Sequence, residues 1–250
     1  HDLSGSLTLT RQHERGQLAL TLGGRDGGLD SFVTVSLSGN WQPWRDLQLG
    51  AGLELNGRAS ETVALSVGGI RDRARLTVLG TLTAADSFSL ELATARFHDQ
   101  GRHYLGQGQS ADFDLRHQFT RAWPDYGMRL FGGYTVYAAD GTVSGRSAAL
   151  VPVTASPAAA FFVPASFAHL GAGLFLGQSW KDSYSRDWKP FAEADFDWNS
   201  NSGIGFSYGA GLVGPVFGLD QLMLEVTQGS GQFGRAELTT LIGVKDRYFY

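Results

Sequence analysis

The sequence predicts an all-β fold, a transmembrane antiparallel up-and-down β-barrel of about 14–16 strands. The last segment, residues 234–250, alternates apolar and polar residues along its length and ends on aromatic residues, as a strand with its tip at a membrane–water interface does. Glycine is abundant at 34 of 250 residues and proline scarce at 7, which suits the bends and turns of a barrel better than long helices. No apolar run approaches the roughly 18 residues of a membrane helix.

The elements follow from alternation, taken in chain order. Leucine or valine at every second position marks the first six strands, and phenylalanine with leucine marks the next two. Aromatic, alanine-rich or glycine-rich alternation marks the last six, with turn signals such as Asn56-Gly57 and Asp140-Gly141 between strands. The predicted strands are 3–10, 17–24, 31–38, 45–55, 61–69, 73–83, one around Phe88, Leu90 and Leu92, one around Phe113, Leu115 and Phe119, 126–138, 167–177, 188–198, 203–212, 221–227 and the terminal strand.

Strand 188–198 favours a membrane barrel over a soluble β-sandwich or closed soluble barrel. Its apolar face carries a tryptophan at each end, Trp188 and Trp198. Ten residues at about 3.3 Å rise, tilted by about 40°, span on the order of 25 Å, the height of a lipid-facing band between two aromatic girdles. A barrel of about fourteen strands is also too wide for side chains to fill, so its apolar face must lie outside.

Loop lengths predict the orientation. If both termini are periplasmic, odd-to-even connections face outward, and the two longest, 97–111 and 139–166, are of that kind. The connection 178–187 does not fit, because it is long and charged on the short-turn side. It is either a periplasmic contact or the sign of a strand count wrong by a pair.

With the apolar face outside, the alternate positions line the lumen, and they are rich in carboxylates. The predicted lumen-lining, substrate-conducting residues are Asp46, Glu54, Glu91, Asp112, Asp114, Glu193, Asp195, Asp197, Glu225 and Glu237. These residues either solvate a water-filled passage or set a field that favours cationic or hydroxyl-rich passengers. Phe131 and Phe191 share the polar face and either guide sugar rings or pack under a loop.

Residues 161–167, 171–173, 189–192 and 198–200 resemble the outer-membrane exopolysaccharide-export porins of biofilm secretion systems. The likeness is to the PelB type and more distantly to the BcsC and PgaA types, and it covers about residues 116–250. It implies passive export of a polysaccharide, a sixteen-stranded barrel, an upstream periplasmic tetratricopeptide superhelix and periplasmic or lipoprotein partners. A cationic, partly deacetylated polymer, implied by the Pel likeness, would suit an acidic lumen.

The predicted function is therefore an outer-membrane porin for a secreted exopolysaccharide, formed by a single barrel domain over residues 1–250 in the lipid bilayer of the bacterial outer membrane. The chain starts at His1 without a methionine or a signal peptide, which predicts a processed or excised fragment. Zero cysteines exclude disulfide staples, and a net charge of −4 gives no reason to expect nucleic acid as a partner. No cofactor or metal site is predicted.

Two alternatives stay open. A general diffusion porin for small solutes would have the same strands. An outer-membrane barrel enzyme is suggested only by His98-Asp99 and His103, which no Gly-x-Ser-x-Gly motif accompanies, so no catalytic residue is assigned. His117 shares a face with Phe119 and is interpreted as an interfacial residue rather than a metal ligand.

Residues 141–166, called the mouth segment below, are too apolar for a loop in water. A hydrophobic loop over an open barrel folds onto the rim or into the mouth. We predict that this segment gates the external mouth and that deleting residues 147–160 raises conductance.

Overall fold

The computed structural model describes residues 3–27, 30–59, 61–99, 101–141, 143, 148, 150–151, 158–178, 186–216, 220–230 and 239–248. These residues contain thirteen strands, one short α-helix and a 3-10 helix at Ala158–Phe161. The elements are β1 (Leu3–His13), β2 (Gly16–Gly27), β3 (Asp30–Trp44), β4 (Leu47–Arg58), α1 (Val63–Gly68), β5 (Gly69–Thr81), β6 (Asp86–Asp99), β7 (Tyr104–Thr120), β8 (Tyr126–Ala138), β9 (Phe167–Leu176), β10 (Lys189–Asn199), β11 (Gly203–Gly214), β12 (Asp220–Gly229) and β13 (Thr239–Tyr248).

The strands pair in chain order, β1 to β13, in one sheet. The pairs with a described register run antiparallel, as between β1 and β2 or β10 and β11. Tight turns fix these registers, and Gly203, at φ +80°, takes the left-handed backbone that closes the β10–β11 turn. Sequential antiparallel pairing is the topology of an up-and-down β-barrel, which confirms the predicted fold class.

The chain comprises two compact units. Unit 1 contains His1–Gly80, Ser89–Asp112 and Tyr134–Ser166, and unit 2 contains Thr81–Phe88, Phe113–Gly133 and Phe167–Tyr250. A single barrel domain over the whole chain stays a prediction. No helix among the described residues is long and apolar enough to cross a membrane.

Each unit has an apolar face whose large side chains are exposed. In unit 1, Leu53 and Leu76 are 56% and 59% exposed, and in unit 2, Phe196 and Ile204 are 69% and 85% exposed. Contiguous apolar surface of this kind is a liability in water but belongs against lipid. The positions that alternate with these residues form the polar face.

The predicted fifth strand, residues 61–69, is wrong, because α1 occupies it. Thr62 caps the helix: its hydroxyl accepts a hydrogen bond of 3.0 Å from the Leu65 amide. Ala64, Leu65 and Gly68 are buried at helical spacing, whereas Val63 is exposed. A short apolar run fits both the two-residue period of a strand and the 3.6-residue period of a helix, and here the capping threonine favours the helix. The described residues therefore hold thirteen strands, and the mouth segment follows an even strand, β8.

The predicted external loop 97–111 is also wrong. β6 continues to Asp99 and β7 begins at Tyr104, so only four residues separate the two strands. Glycines interrupt the alternation of apolar and polar residues here, so the strand was not recognised from the sequence. Gly106 is required by close packing, since a Cβ at this position would lie 2.3 Å from the Ala138 carbonyl oxygen. The connection 178–187 still separates β9 from β10, but residues 179–185 lie outside the described residues.

The predicted orientation took the mouth segment as an odd-to-even connection. Among the described strands it is an even-to-odd connection, between β8 and β9, so this part of the prediction is wrong.

In unit 2, polar-face aromatic rings lie over glycines of the next strand. Phe191 of β10 is 2% exposed and stands directly opposite Gly211 of β11. A Cβ on Gly211 would lie 2.3 Å from both the Phe191 ring and the Leu224 carbonyl oxygen. The ring thus covers backbone that only glycine leaves open.

We expect Gly211→Ala to destabilise the folded barrel by about 1–3 kcal/mol, the usual cost of overpacking. Gly209→Ala is the matched control, because it lies two residues away on the same face and its added Cβ would have its nearest neighbour at 3.4 Å. Urea unfolding of the detergent-folded protein measures both. Equal midpoints for the two variants would contradict the packing role of Gly211.

Candidate functional site

The polar face of unit 2 holds an ion-paired cluster built on β7, β8 and β10. Arg129 of β8 donates from Nε to the Asp195 carboxylate at 2.7 Å and from Nη2 to its second oxygen. Ser207 Oγ donates to the same carboxylate at 3.1 Å, and Asp195 is only 2% exposed. Asp114 of β7 lies 3.8 Å from Arg129 Nη1 and accepts a 2.8 Å bond from Arg116 Nε. Two predicted carboxylates are thus brought together by an arginine.

Arg129 was not among the residues predicted from the sequence. Its position was readable, since it precedes Phe131 by two residues on the same strand face. The guanidinium lies 4.7 Å from the centroid of the Phe131 ring, a cation–π contact. This aromatic side chain therefore packs against a paired charge.

The other two carboxylates of β10 are differently placed. Gln178 Nε2 donates to Glu193 at 3.1 Å. Asp197 stands between Gly205 of β11 and Gly171 of β9 in the register, beside glycine rather than beside an arginine. Both carboxylates are partly exposed, so their charge reaches solvent.

In unit 1, the polar face of β5 carries three arginines, two of which pair with predicted carboxylates. Arg73 pairs with Glu91 at 2.6 Å, and Arg71 pairs with Glu54 at 3.6 Å and with Glu61 at 2.5 Å. Arg75 lies over Gly52, two positions along β5. Sequence analysis missed the arginines because it weighed each strand separately, whereas ion pairs form across strands.

The remaining predicted residues are spread out. Asp46 lies exposed in the β3–β4 turn rather than on a strand face, because β4 begins only at Leu47. Asp112 lies half-buried on the polar face of β7. Glu225 of β12 stands between Gly211 and Gly243 in the register. Glu237 lies outside the described residues.

The end of the mouth segment packs into a buried apolar cluster of unit 1. Phe162 and Val163 join Leu65 of α1, Phe97 of β6 and Leu105 of β7, all fully or nearly fully buried. Thr62 Oγ1 donates to the Phe162 carbonyl at 2.6 Å, so the residue that caps α1 also holds the mouth segment. Sequence analysis predicted that this segment folds back but missed its partner, since α1 was predicted as a strand.

Two of the described histidines, His103 and His117, each contact a carboxylate. Asp99 accepts from the His103 amide at 2.8 Å and lies 3.0 Å from its ring, which closes the β6–β7 turn where Arg102 has φ 65°. His117 lies 2.6 Å from Asp86 and stacks edge-on with Phe119. No group of three or more histidines or carboxylates in the described part of the chain could hold a metal ion.

Comparison with known proteins gives one family and several similar structures. The family model described as PelB, C-terminal beta barrel domain, matches residues 1–249. A search of curated proteins found no significant match. Among solved structures, the chain is similar to a bacterial polysaccharide outer membrane secretin, with TM-score 0.74, 11% identity, 100% of this chain covered and 81% of that chain.

A second similar structure is OccK11 (OpdR) of Pseudomonas aeruginosa, with TM-score 0.52, 10% identity, and 98% of this chain and 68% of that chain covered. At these identities the structural likenesses speak for the fold alone. The family match covers nearly every residue of the chain. One face of the sheet is apolar, as lipid requires, and the other is polar, as water requires. The protein is located in the bacterial outer membrane. The chain belongs to the PelB C-terminal β-barrel domain family.

Proposed function

We propose that this barrel conducts a secreted exopolysaccharide passively from the periplasm to the cell surface. The observation that carries the proposal is the family match over residues 1–249. The similar structure described as a polysaccharide outer membrane secretin supports it. Periplasmic or lipoprotein partners of a secretion complex would deliver the polymer.

The chemistry of the polar face suits a sugar polymer. In unit 1 this face carries hydroxyls, including Thr8 and Thr21, whose oxygens lie 2.9 Å apart, and Ser36 and Ser38 of β3. Hydroxyls exchange hydrogen bonds with sugars at little net cost, and arginine–carboxylate pairs present less field than isolated charges. A chain therefore meets many weak contacts and can slide.

A cationic, partly deacetylated polymer is the proposed passenger. Both Glu193 and Asp197 are partly exposed. Glu193 accepts a hydrogen bond from Gln178 and lies close enough to Arg129 to interact with its charge, whereas Asp197 stands beside glycines in the register. Their charge favours amine-bearing sugars at short range. The role is conduction rather than catalysis, because the histidines nearest to a catalytic arrangement serve a hairpin turn.

The test of polymer conduction is block of single-channel current by a partly deacetylated amino-sugar oligosaccharide in a planar bilayer. We expect long, concentration-dependent blockades, because many weak contacts add along a chain. The fully acetylated oligosaccharide is the control for charge, and a monosaccharide is the control for length. A general diffusion porin for small solutes, the alternative, would show a steady open current with no length-dependent block.

The mouth segment is proposed to gate the external opening through its contact with α1. Phe162→Ala removes a fully buried side chain, a loss worth about 3–5 kcal/mol in a packed core, and we expect higher conductance and greater antibiotic entry. Phe161→Ala is the matched control, because Phe161 is 39% exposed. Deleting residues 147–160 should act like Phe162→Ala. Unchanged conductance in Phe162→Ala and in the deletion would exclude a gate.

The field of the conduit is tested by Glu193→Gln with Asp197→Asn. Asp195 is left intact, since its loss would strand the Arg129 charge and confound the result with misfolding. We expect the cation-to-anion permeability ratio to fall toward one. The cation preference of the wild type should weaken as salt rises, because fixed charges are screened beyond a Debye length of about 8 Å at physiological salt. The control removes two exposed turn carboxylates, Glu14→Gln with Asp46→Asn. An equal fall in the control would show an effect of net charge alone.

A further inference from the structure

A groove crosses the apolar face of unit 1 near the β1–β2 turn. The register places Arg11, Leu18, Gly39, Ala51 and Leu76 in one row across β1 to β5. Glycine and alanine in the middle of this row leave a depression between the leucines. The row on the turn side contains Gly16 and Trp41, so the depression continues toward the turn.

The groove is large enough for a ligand. Its volume is about 930 Å³, at the upper end of the roughly 300–1,000 Å³ of ordinary ligand sites. Its walls are apolar, formed by Leu18, Leu37, Trp41, Leu49, Leu53 and Leu76. Such a surface accepts a hydrocarbon chain.

One end of the groove is basic. Arg11, His13 and Arg15 line it together with one acid, Glu14. Neither arginine has an ion-pair partner among the residues that the structure describes, in contrast to Arg71, Arg73 and Arg129. Guanidinium groups bind phosphate oxygens in pairs of hydrogen bonds, so this end suits a phosphate.

The level of the basic end matches a membrane boundary. Leu7, Leu9, Arg11 and His13 follow one another on the outward positions of β1, so apolar residues give way to basic ones. Trp41 and Trp44 are 56% and 68% exposed near this end, as interfacial tryptophans are. The β1–β2 turn lies at the opposite strand ends from the mouth segment, and short turns are periplasmic. The groove therefore faces the inner, phospholipid leaflet.

We propose that this groove binds an anionic phospholipid of the inner leaflet. One acyl chain lies over Gly39 and Ala51, and the phosphate lies between Arg11 and Arg15. The site is independent of the conduit, since it uses the opposite face of the strands. Its loss would leave polymer conduction unchanged.

The test is native mass spectrometry of the purified protein after equilibration with equimolar phosphatidylglycerol and phosphatidylcholine in detergent. We expect the wild type to retain phosphatidylglycerol in preference by about tenfold, because phosphatidylcholine carries a choline cation beside the same phosphate and the two arginines repel that cation. Arg11→Gln with Arg15→Gln should retain both lipids equally. Ala51→Phe, which fills the groove from an exposed position, should retain neither lipid.

The control is Arg121→Gln, which removes an exposed arginine of the β7–β8 turn that does not line the groove. It should keep the wild-type preference. The heat-dependent electrophoretic shift of folded barrels verifies folding of every variant. Two lipid outcomes would overturn the proposal: a wild-type preference in the double arginine variant, or lipid retention by Ala51→Phe. A third outcome, wild-type dimers that Ala51→Phe dissociates, would also overturn it, because the groove would then bind a second copy of the chain.

Discussion

Backbone hydrogen bonding in hydrocarbon is the constraint on which the rest of this structure depends. A strand in a bilayer has no water for its amide and carbonyl groups, so each must pair with a neighbouring strand. Pairing in chain order satisfies this need with the shortest connections, and the sheet from β1 to β13 follows that order. The two-residue period of a paired strand then assigns every side chain to one of two faces. Both the proposed conduit and the proposed lipid groove depend on that assignment.

A second constraint acts on the polar face: a charged group that is buried there needs a partner of opposite charge. Asp195, almost inaccessible to solvent, has a two-pronged contact with Arg129 and a hydroxyl donor. Removing one partner of such a pair is costly because the other charge stays behind. The carboxylates whose charge reaches solvent are therefore the partly exposed ones. A count of acids along the sequence overstates the field, since Glu54, Glu91, Asp114 and Asp195 all meet arginines.

The alternation of apolar and polar residues predicted most strands and the face on which each side chain lies, because it is a local property of the chain. The apolar stripes of β1 to β4 and the face of β10 with Phe196 and Trp198 are readable without any partner. The contacts of Arg71 and Arg129 were not predictable, since they depend on which residues stand opposite each other across strands. The helix α1 was not predicted, because six residues fit both the two-residue period of a strand and the 3.6-residue period of a helix. Its packing partner, Phe162, lies about a hundred positions away in the sequence. Glycines such as Gly106 hid a strand for a similar reason: their partner is a distant carbonyl.

The position of α1 bears on how a proposed gate could open. The mouth segment contributes Phe162 and Val163 to the cluster, and burying two such side chains is worth about 3–6 kcal/mol, an upper bound. Moving a two-state equilibrium from 1:99 to 99:1 requires about 5.5 kcal/mol. The packing energy of the segment is thus of the size that the proposed gate would need in order to switch between two states. Because Thr62 caps α1 and also donates to the Phe162 carbonyl, undocking of the mouth segment would break this hydrogen bond and expose the buried face of α1.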